Sequence, residues 1–544
     1  RNIANLDDLE NGLKGLTHFN VLKGMPQAAQ ILANAVVQNK RIIIVGDFDA
    51  DGATSTSVCI LALRAMGYHN VDFLVPNRFD FGYGLSVPIV DEAAKQGAEV
   101  IVTVDNGISC IDGVTHAKSL GMQVVVTDHH LPGDVLPPAD AIVNPNQPGC
   151  EFPSKNLAGV GVAFYIMLAL KAELQQQGHF EKAGVAPPNL ASLLDIVAVG
   201  TVADVVVLDK NNRILVHQGL QRIRAGKCRP GIKALVEVAN RDCAHLTSTD
   251  LGFVVGPRLN AAGRLDDMSQ GIACLLEDET IQARMIAAEL DALNKERREI
   301  ETGMKAQAET VLEQMALNEG DMPSALVVYR EDFHQGVIGI VAGRLKEKYL
   351  KPVIAFAHQD DEIIKGSARS IPGVHIRDVL DEVNTRYPGV IEKFGGHAMA
   401  AGLSLPVAKL QDFERAFVNI ARAHMAKLDG NHALFSDGDL SSEELCLPFA
   451  HLLRQAGPFG QGFESPLFDG EFALLDQRLV GQKHLKMVLK SDGANEVDAI
   501  AFNVDLKSWP NAMVKRVHIA YRLDINVFRG QETVQLIVEQ IEAR

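Results

Sequence analysis

Residues 41–55 read RIIIVGDFDADGATS. Arg41 to Val45 is a short apolar run, the pattern of a strand buried on both faces. Gly46 breaks the run, and carboxylates follow at every second position: Asp47, Asp49 and Asp51. Gly52 lets the backbone turn, and ATSTSVCILALRAMG then reads as a helix with small residues in its first turn. Three acids this close repel one another unless a cation sits among them. Strand, acidic loop and helix together suggest a metal site at the carboxyl edge of a sheet. A calcium EF-hand also begins D-x-D-x-D-G but needs a bidentate Glu at its twelfth position, and counting from Asp47 gives Val58 there. That reading fails. A solvated acidic turn remains the plainer alternative, to be weighed against the rest of the chain.

Outward from this stretch, strands are expected at 71–75, 99–104 and 122–127, with helices at about 86–97 and 109–120. Residues 1–40 read as helical and amphipathic, and the loop PNRFDFGYGLS carries Arg78. The alternation implies a parallel, doubly wound α/β sheet. Its strands stop at Asp47 to Asp51, at Asp105-Asn106-Gly107 and at Asp128-His129-His130. Ligands of open α/β sheets bind just outside the carboxyl ends of the strands, so these residues converge. One acid in such a place is common by chance; three with two histidines are not.

Beyond residue 150 the chain turns helical, and Asp204 sits in an otherwise apolar run. A buried Asp costs several kcal/mol unless paired, protonated or metal-bound; a metal is the economical explanation here, with a helix cap or ion pair as the alternative. GPRLNAAGRLDD (256–267) reads as a tight loop of small residues carrying Arg258, Asn260 and Arg264, suited to phosphate. Residues 279–319 form a long charged helix without proline, which Gly303 weakens or bends. A second α/β domain is expected over 320–429, with one strand ending at Ser367, Arg369 and Ser370, and with the loop KFGGHAMAAGLSL holding His397. Residues 430–544 hold five strand-like runs, as in a small OB-fold β-barrel. Ahead of them GPFGQGFESPLF offers aromatics that either stack on bases or, more ordinarily, pack on their own barrel.

At 544 residues the chain has room for roughly three or four domains. Hydrophobic residues make up 47%, enough for large cores. The seven cysteines include no C-x-x-C pair, which argues against a zinc ribbon or a disulfide framework and favours a reducing compartment. No signal-peptide pattern opens the sequence, and its most apolar long stretch, 191–208, is broken by Asp195 and Asp204. A soluble cytoplasmic protein is expected, with further residues ahead of Arg1. The net charge of −16 speaks against a basic nucleic-acid coat protein but not against a nucleic-acid enzyme, since bound cations and local arginines outweigh a distant acidic surface.

The converging set is therefore Asp47, Asp49, Asp51, Asp105, His129, His130 and Asp204. Carboxylate and imidazole donors without thiolate suit Mn²⁺ or Mg²⁺ better than structural zinc. The acids suffice for two ions, with Asp105 as the candidate bridge; an ion pair about 3.5–4 Å apart stabilises both oxygens of a phosphoester displacement. In this scheme His129 binds metal and His130 contacts the scissile phosphate, while Arg78, Arg258, Arg264 and Arg369 receive other phosphates.

D-x-D-x-D-G, the isolated Asp-Asn-Gly, Asp-His-His and the T-x-A-D ending at Asp204 resemble the four motifs of the DHH phosphoesterases. GPRLNAAGRL, GSARS and GGHAMAAG resemble the RecJ-type exonuclease branch of that family, and the likeness covers essentially the whole chain. It implies a DHH domain with helical extension (1–278), a connecting helix (279–319), a DHHA1 domain (320–429) and an OB-fold (430–544). It also implies a 5′→3′ exonuclease that degrades single-stranded DNA to mononucleotides in recombination, mismatch repair and base excision repair. The implied partners are a single-strand-binding protein and a helicase; a monomer without membrane attachment is expected. The family's metal ligands carry over to the first-motif aspartates, Asp105, a histidine of the triplet and Asp204. Which of Asp47, Asp49 and Asp51 is a direct ligand stays open, because DHH relatives often begin that motif with His. The family's 5′-phosphate pocket carries over to Arg78, Ser367, Arg369 and an arginine of GPRLNAAGR, and His397 becomes a substrate-facing residue.

Two rivals are weaker. DHH enzymes for pyrophosphate, cyclic dinucleotides or nanoRNA are typically shorter and lack the C-terminal barrel. A non-catalytic replication scaffold, like the eukaryotic helicase subunit that resembles this branch, would show degraded metal motifs, and all four are intact here.

Overall fold

Ile42 to Val45 form strand β1 with every residue fully buried, and each such aliphatic side chain contributes about 1.5–3 kcal/mol. In this computed structural model, which describes residues 1, 3–77, 84–319, 322–427, 434–491 and 496–544 (side chains of 314–319 excepted), four more strands complete the sheet. They are β2 (Val71–Leu74), β3 (Val100–Val104), β4 (Gln123–Thr127) and β5 (Ala141–Val143). The order is β2-β1-β3-β4-β5, with every neighbouring pair parallel. β5 was not anticipated: three residues are too few to show a pattern. Strand order switches between β1 and β3, the place where sheets of this kind bind ligands. Arg78 lies outside the described residues.

The expectation of a helical residue 1–40 segment holds only in part. Met25–Val37 is an α-helix, but single 3-10 turns at Leu6–Leu9, Leu13–Gly15 and Phe19–Val21 precede it. Gly12, Gly15 and Gly24 punctuate that stretch and deny a continuous helix its propensity. The chain divides into two compact units, one of Arg1–Pro257, Gly271–Ala287 and Ala433–Arg544, the other of Arg258–Gln270 and Ala288–His432.

The second unit carries β6 (Leu326–Tyr329), β7 (Val353–His358), β8 (Ile363–Arg369), β9 (Lys393–Gly396) and β10 (Ala400–Pro406) in the order β6-β7-β8-β10-β9. Only β6 and β7 run parallel; the other pairs are antiparallel. KFGGHAMAAGLSL is therefore a hairpin with His397 at its turn, where a loop was expected. Its alternating burial supplies the reason, since Ala401, Leu403 and Leu405 enter the core while their neighbours face out. GPRLNAAGRLDD is likewise no loop but the helix Gly256–Leu265, entered through a π-helical turn at Leu251–Val255. Leu259, Ala261 and Ala262 are fully buried along it, so the small residues serve close packing. The long helix Thr280–Glu319 continues unbroken through Gly303, and 40 residues at 1.5 Å each span about 60 Å.

In the first unit, β11 (Phe468–Val480), β12 (His484–Lys490), β13 (Glu496–Ala501), β14 (Arg516–Phe528) and β15 (Gln531–Ala543) close a barrel in the order β11-β12-β13-β15-β14. Phe472, Leu485, Met487, Val517, Tyr521 and Leu536 fill it. The aromatic connector ahead of β11 does not pack on its own barrel alone. Phe468 joins the barrel core, but Phe459 and Phe463 stack on each other at 5.7 Å, with Arg213 lying 4.2 Å from the centre of the Phe463 ring.

Candidate metal centre

β1 ends at the acidic loop, and Asp49 starts the next helix, Ala50–Ala65. Its Oδ1 accepts the Asp51 and Gly52 N–H groups, both at 3.0 Å, a cap that contributes about 1 kcal/mol. Asp51 reaches the opposite way. Its Oδ2 accepts the Gly159 N–H at 2.7 Å and its Oδ1 the Val160 N–H at 2.8 Å, at the N-terminus of the helix Gly159–Gln176. A helix N-terminus favours a carboxylate, yet burial and the charge of Asp49 outweigh it and push the Asp51 carboxyl up to about 7. Gly159 also packs against Asp105, since a methyl there would stand 2.7 Å from Asp105 Cβ and Oδ1.

β3 ends at Asp105, whose φ of +61° is a left-handed conformation that Asp tolerates better than most residues. Asn106 Nδ2 donates to Val45 O at 3.0 Å and to Val104 O at 2.9 Å, tying the ends of β1 and β3 together. β4 delivers the third group. Asp128 Oδ1 accepts the backbone N–H groups of His129 and His130 at 2.7 and 3.1 Å and pairs with His130 Nδ1 at 2.7 Å, while its Oδ2 accepts the Ile108 N–H at 2.9 Å. Burial raises the cost of the Asp128 charge, but its bond to His130 prevails and holds the carboxyl below its ordinary value. For His130 burial opposes protonation, yet Asp128, aided by Asp47 and Asp49, lifts the imidazole to about 9.

His129 Nε2 is the hub. It lies 3.1 Å from Asp105 Oδ1, 3.5 Å from Asp204 Oδ2 and 3.9 Å from Asp51 Oδ2. Asp204 caps the C-terminus of the helix Leu194–Ala203, with its side chain 21% exposed rather than fully buried as the apolar run suggested. Three overlapping groups can each hold an ion: Asp105, His129 and His130; Asp51, His129 and Asp204; Asp47, Asp49 and Asp105. Burial first, then the neighbouring aspartates, hold the Asp105 and Asp204 carboxyls well above the ordinary range. All seven sequence-derived candidates thus meet at the switch point of the sheet. The donors fit Mn²⁺ or Mg²⁺, and Asp204 Oδ2 is buried with no hydrogen-bond partner among the described residues, as a carboxylate oxygen meant for a cation would be.

Three residues did not emerge as site residues from the sequence: Asn106, Gly159 and Asp128 as the orienter of His130. The Asp-Asn-Gly and Asp-His-His patterns contain two of them, but their roles rest on contacts between strands. We expect Asp128→Asn to lower the His130 pKa from about 9 toward the ordinary imidazole value near 6.5, and to cost about 10–100-fold in metal affinity or activity. NMR titration of the His130 ring checks the first; an unmoved titration would contradict the assigned ion pair.

The remaining candidates among the described residues lie in the second unit. Arg369 closes β8, where its Nη1 donates to Ser367 Oγ at 3.1 Å and to Ala368 O at 2.8 Å, and burial lowers its pKa. A methyl on Gly339 would stand 2.9 Å from Ser367 Oγ and 3.0 Å from Arg369 Nη2, so the first turn of the helix Ile338–Tyr349 abuts both side chains. Guanidinium, hydroxyl and helix N-terminus make a setting for an anion. Arg264 Nη1 donates to Gly336 O at 3.1 Å. Arg258 is buried against Asp291, with Nη2–Oδ1 at 2.8 Å, so a carboxylate already holds that guanidinium. Asn260 sits half-buried on the same helix and His397 is exposed at its hairpin turn.

Against known proteins, residues 41–201 match the DHH family N-terminal domain, 323–423 the DHHA1 domain and 436–540 the RecJ OB domain. The chain is 55% identical over 542 residues to the single-stranded-DNA-specific exonuclease RecJ of Dickeya dadantii (strain 3937), covering 99% of this chain and 94% of that relative. The crystal structure of RecJ from Thermus thermophilus in complex with Mn²⁺ superposes with a TM-score of 0.78 at 29% identity, covering 96% of this chain and 72% of that one. Its Mg²⁺ complex gives 0.73 at 27% identity, covering 99% and 72%. With the motifs, the order of domains and the near full-length identity in agreement, this chain belongs to the RecJ family of DHH proteins.

Proposed function

We propose that the protein is a metal-dependent exonuclease that degrades single-stranded DNA from the 5′ end to mononucleotides. The observation that carries this reading is the set of three overlapping ion-holding groups at one sheet edge, in a chain 55% identical to a single-stranded-DNA-specific exonuclease. Asp51, Asp105, His129 and Asp204, with Asp47 and Asp49, would hold two Mn²⁺ or Mg²⁺ ions. When bound, these stabilise the attacking and leaving oxygens of phosphodiester hydrolysis as Lewis acids. With Nδ1 held by Asp128, His130 would present Nε2 to the scissile phosphate. Asp49 and the Gly159 and Val160 N–H groups keep Asp51 in place while charge builds at the centre. Arg369 and Ser367 bind the terminal 5′-phosphate, aided by Arg264, Arg78 is a further cation for the strand, and the barrel binds the strand as OB-folds do. In the cell this activity belongs to recombination, mismatch repair and base excision repair in the cytoplasm, with a monomeric enzyme working beside a helicase and a single-strand-binding protein.

The test is an oligonucleotide labelled at either end, single-stranded or in a duplex, incubated with Mn²⁺ or Mg²⁺. Mononucleotides released from the 5′ end of the single strand are expected; release from the 3′ end, or equal attack on the duplex, would overturn the reading. We further expect Arg369→Ala to raise KM for a 5′-phosphorylated strand about 10–100-fold, the range of one lost charged hydrogen bond, and to change KM for a 5′-hydroxyl strand little. Equal losses on both strands would remove Arg369 from end recognition.

A further inference from the structure

The segment after Asp204 is held from two sides. Val205, a β-branched residue, takes a φ of +60°, a left-handed conformation that persists only where the surroundings over-determine it. Asn212 Nδ2 donates to Val207 O at 2.9 Å and Arg213 Nη1 to Leu208 O at 3.1 Å. Both donors lie on the helix Lys210–Arg224, which Asp209 caps. The remaining grip comes from the far end of the chain. The Leu208 N–H donates to Gln461 O at 2.8 Å, and the connector that carries Gln461 is itself anchored by Ser248 Oγ, which donates to Phe459 O at 2.6 Å. Gly462, at φ +69°, leaves no room for a methyl, which would stand 2.6 Å from Val207 Cγ1. Phe463 is 3% exposed beneath the Arg213 guanidinium, so the ring steadies the same arginine that holds Leu208 O.

We propose that the connector Gly457–Phe463 is a positioning element of the metal centre: by gripping Val207 and Leu208 it holds the strained turn at Val205 and thereby keeps Asp204 turned toward His129. These aromatics and glycines then serve the geometry of a metal ligand rather than base stacking. Neither Gly462 nor Phe463 touches the ion; both act through Asp204. The inference rests on the reading of Asp204 as a ligand, within the exonuclease reading above.

The test uses the full chain carrying Gly462→Ala or Phe463→Leu, titrated with Mn²⁺ alone by calorimetry. Mn²⁺ affinity is expected to fall about tenfold or more for at least one ion, as when a ligand's supporting contacts are removed. Degradation of single-stranded DNA should recover toward the wild-type rate as Mn²⁺ is raised, which a general loss of packing would not allow. Isotherms of both variants that superimpose on the wild type overturn the inference. Should Gly462→Ala lose its native circular dichroism, Phe463→Leu, which leaves the backbone alone, decides. The outcome is separable from the function itself: a wild type that binds Mn²⁺ but leaves single-stranded DNA intact overturns the exonuclease reading, while the calorimetric comparison still decides this one.

Discussion

Asp105→Asn is expected to abolish nuclease activity, by about 10³-fold or more, while making the metal-free protein more stable. The two effects have one cause. Asp105 belongs to two of the three ion-holding groups, and its Oδ1 stands 3.1 Å from His129 Nε2. Losing that carboxylate removes several kcal/mol of transition-state stabilisation, and each 1.36 kcal/mol is tenfold in rate. Without metal the same carboxylate is a burden: burial comes first, then the charges of Asp51, Asp49, Asp204 and Asp47. Asn retains the shape and tolerates the φ of +61°, so the substitution removes charge without forcing the backbone. For a unit of this size each kcal/mol of relieved repulsion raises the melting temperature by about 1–2 °C. Thermal denaturation in a chelator at pH 8, with a turnover assay beside it, checks both. A destabilised metal-free variant would show that Asp105 is held by hydrogen bonds rather than crowded by charge.

Mn²⁺ is expected to stabilise the protein far more at pH 8 than at about pH 5.5. Asp51 is pushed up to about 7, and Asp105 and Asp204 stand well above the ordinary carboxylate range. Between the ordinary value near 4 and those raised values, the folded metal-free protein holds protons that the unfolded chain has released. Its stability therefore falls as pH rises through that window. A divalent ion replaces those protons and must compete with them at low pH, so its affinity climbs over the same range. At a free concentration 100 times its Kd it adds about 2.7 kcal/mol. Melting temperatures with and without Mn²⁺ at the two pH values give the result directly. Equal increments would mean that the aspartates are already ionised in the metal-free fold.

The sheet and the gathering of acids and histidines at its edge were legible in the sequence because each of these residues sits next to the element that positions it. β1 runs into Asp47 to Asp51, β3 into Asp105 and β4 into His129, so the period of the strands and their ends sufficed. What escaped depends on contacts distant in sequence. Nothing near residue 51 announces that the helix beginning at Gly159 will cap it, and nothing near 106 shows that one amide will bridge two strands. Glycines misled twice. In GPRLNAAGRL and GGHAMAAG they suggested loops, whereas in the first the small residues allow a helix to pack closely and in the second they lie in a hairpin. Asp204 stood out as an acid among apolar neighbours, but its partial exposure follows from its place at the end of a helix.

The unit that carries the metal centre is assembled from segments far apart in the chain: Arg1–Pro257 and, made later, Ala433–Arg544. Arg1 itself pairs with Asp437 at 2.7 Å. Such pairings over hundreds of residues close slowly, because a long loop must be ordered before any contact rewards it. On the ribosome the parallel sheet can form early, but Val207 and Leu208 must wait for Gln461 and Gly462 to be made. The nuclease thus completes its own centre only once residues 457–463 have been made, and a chain cut short before them would emerge with its acids gathered and one of them loosely held.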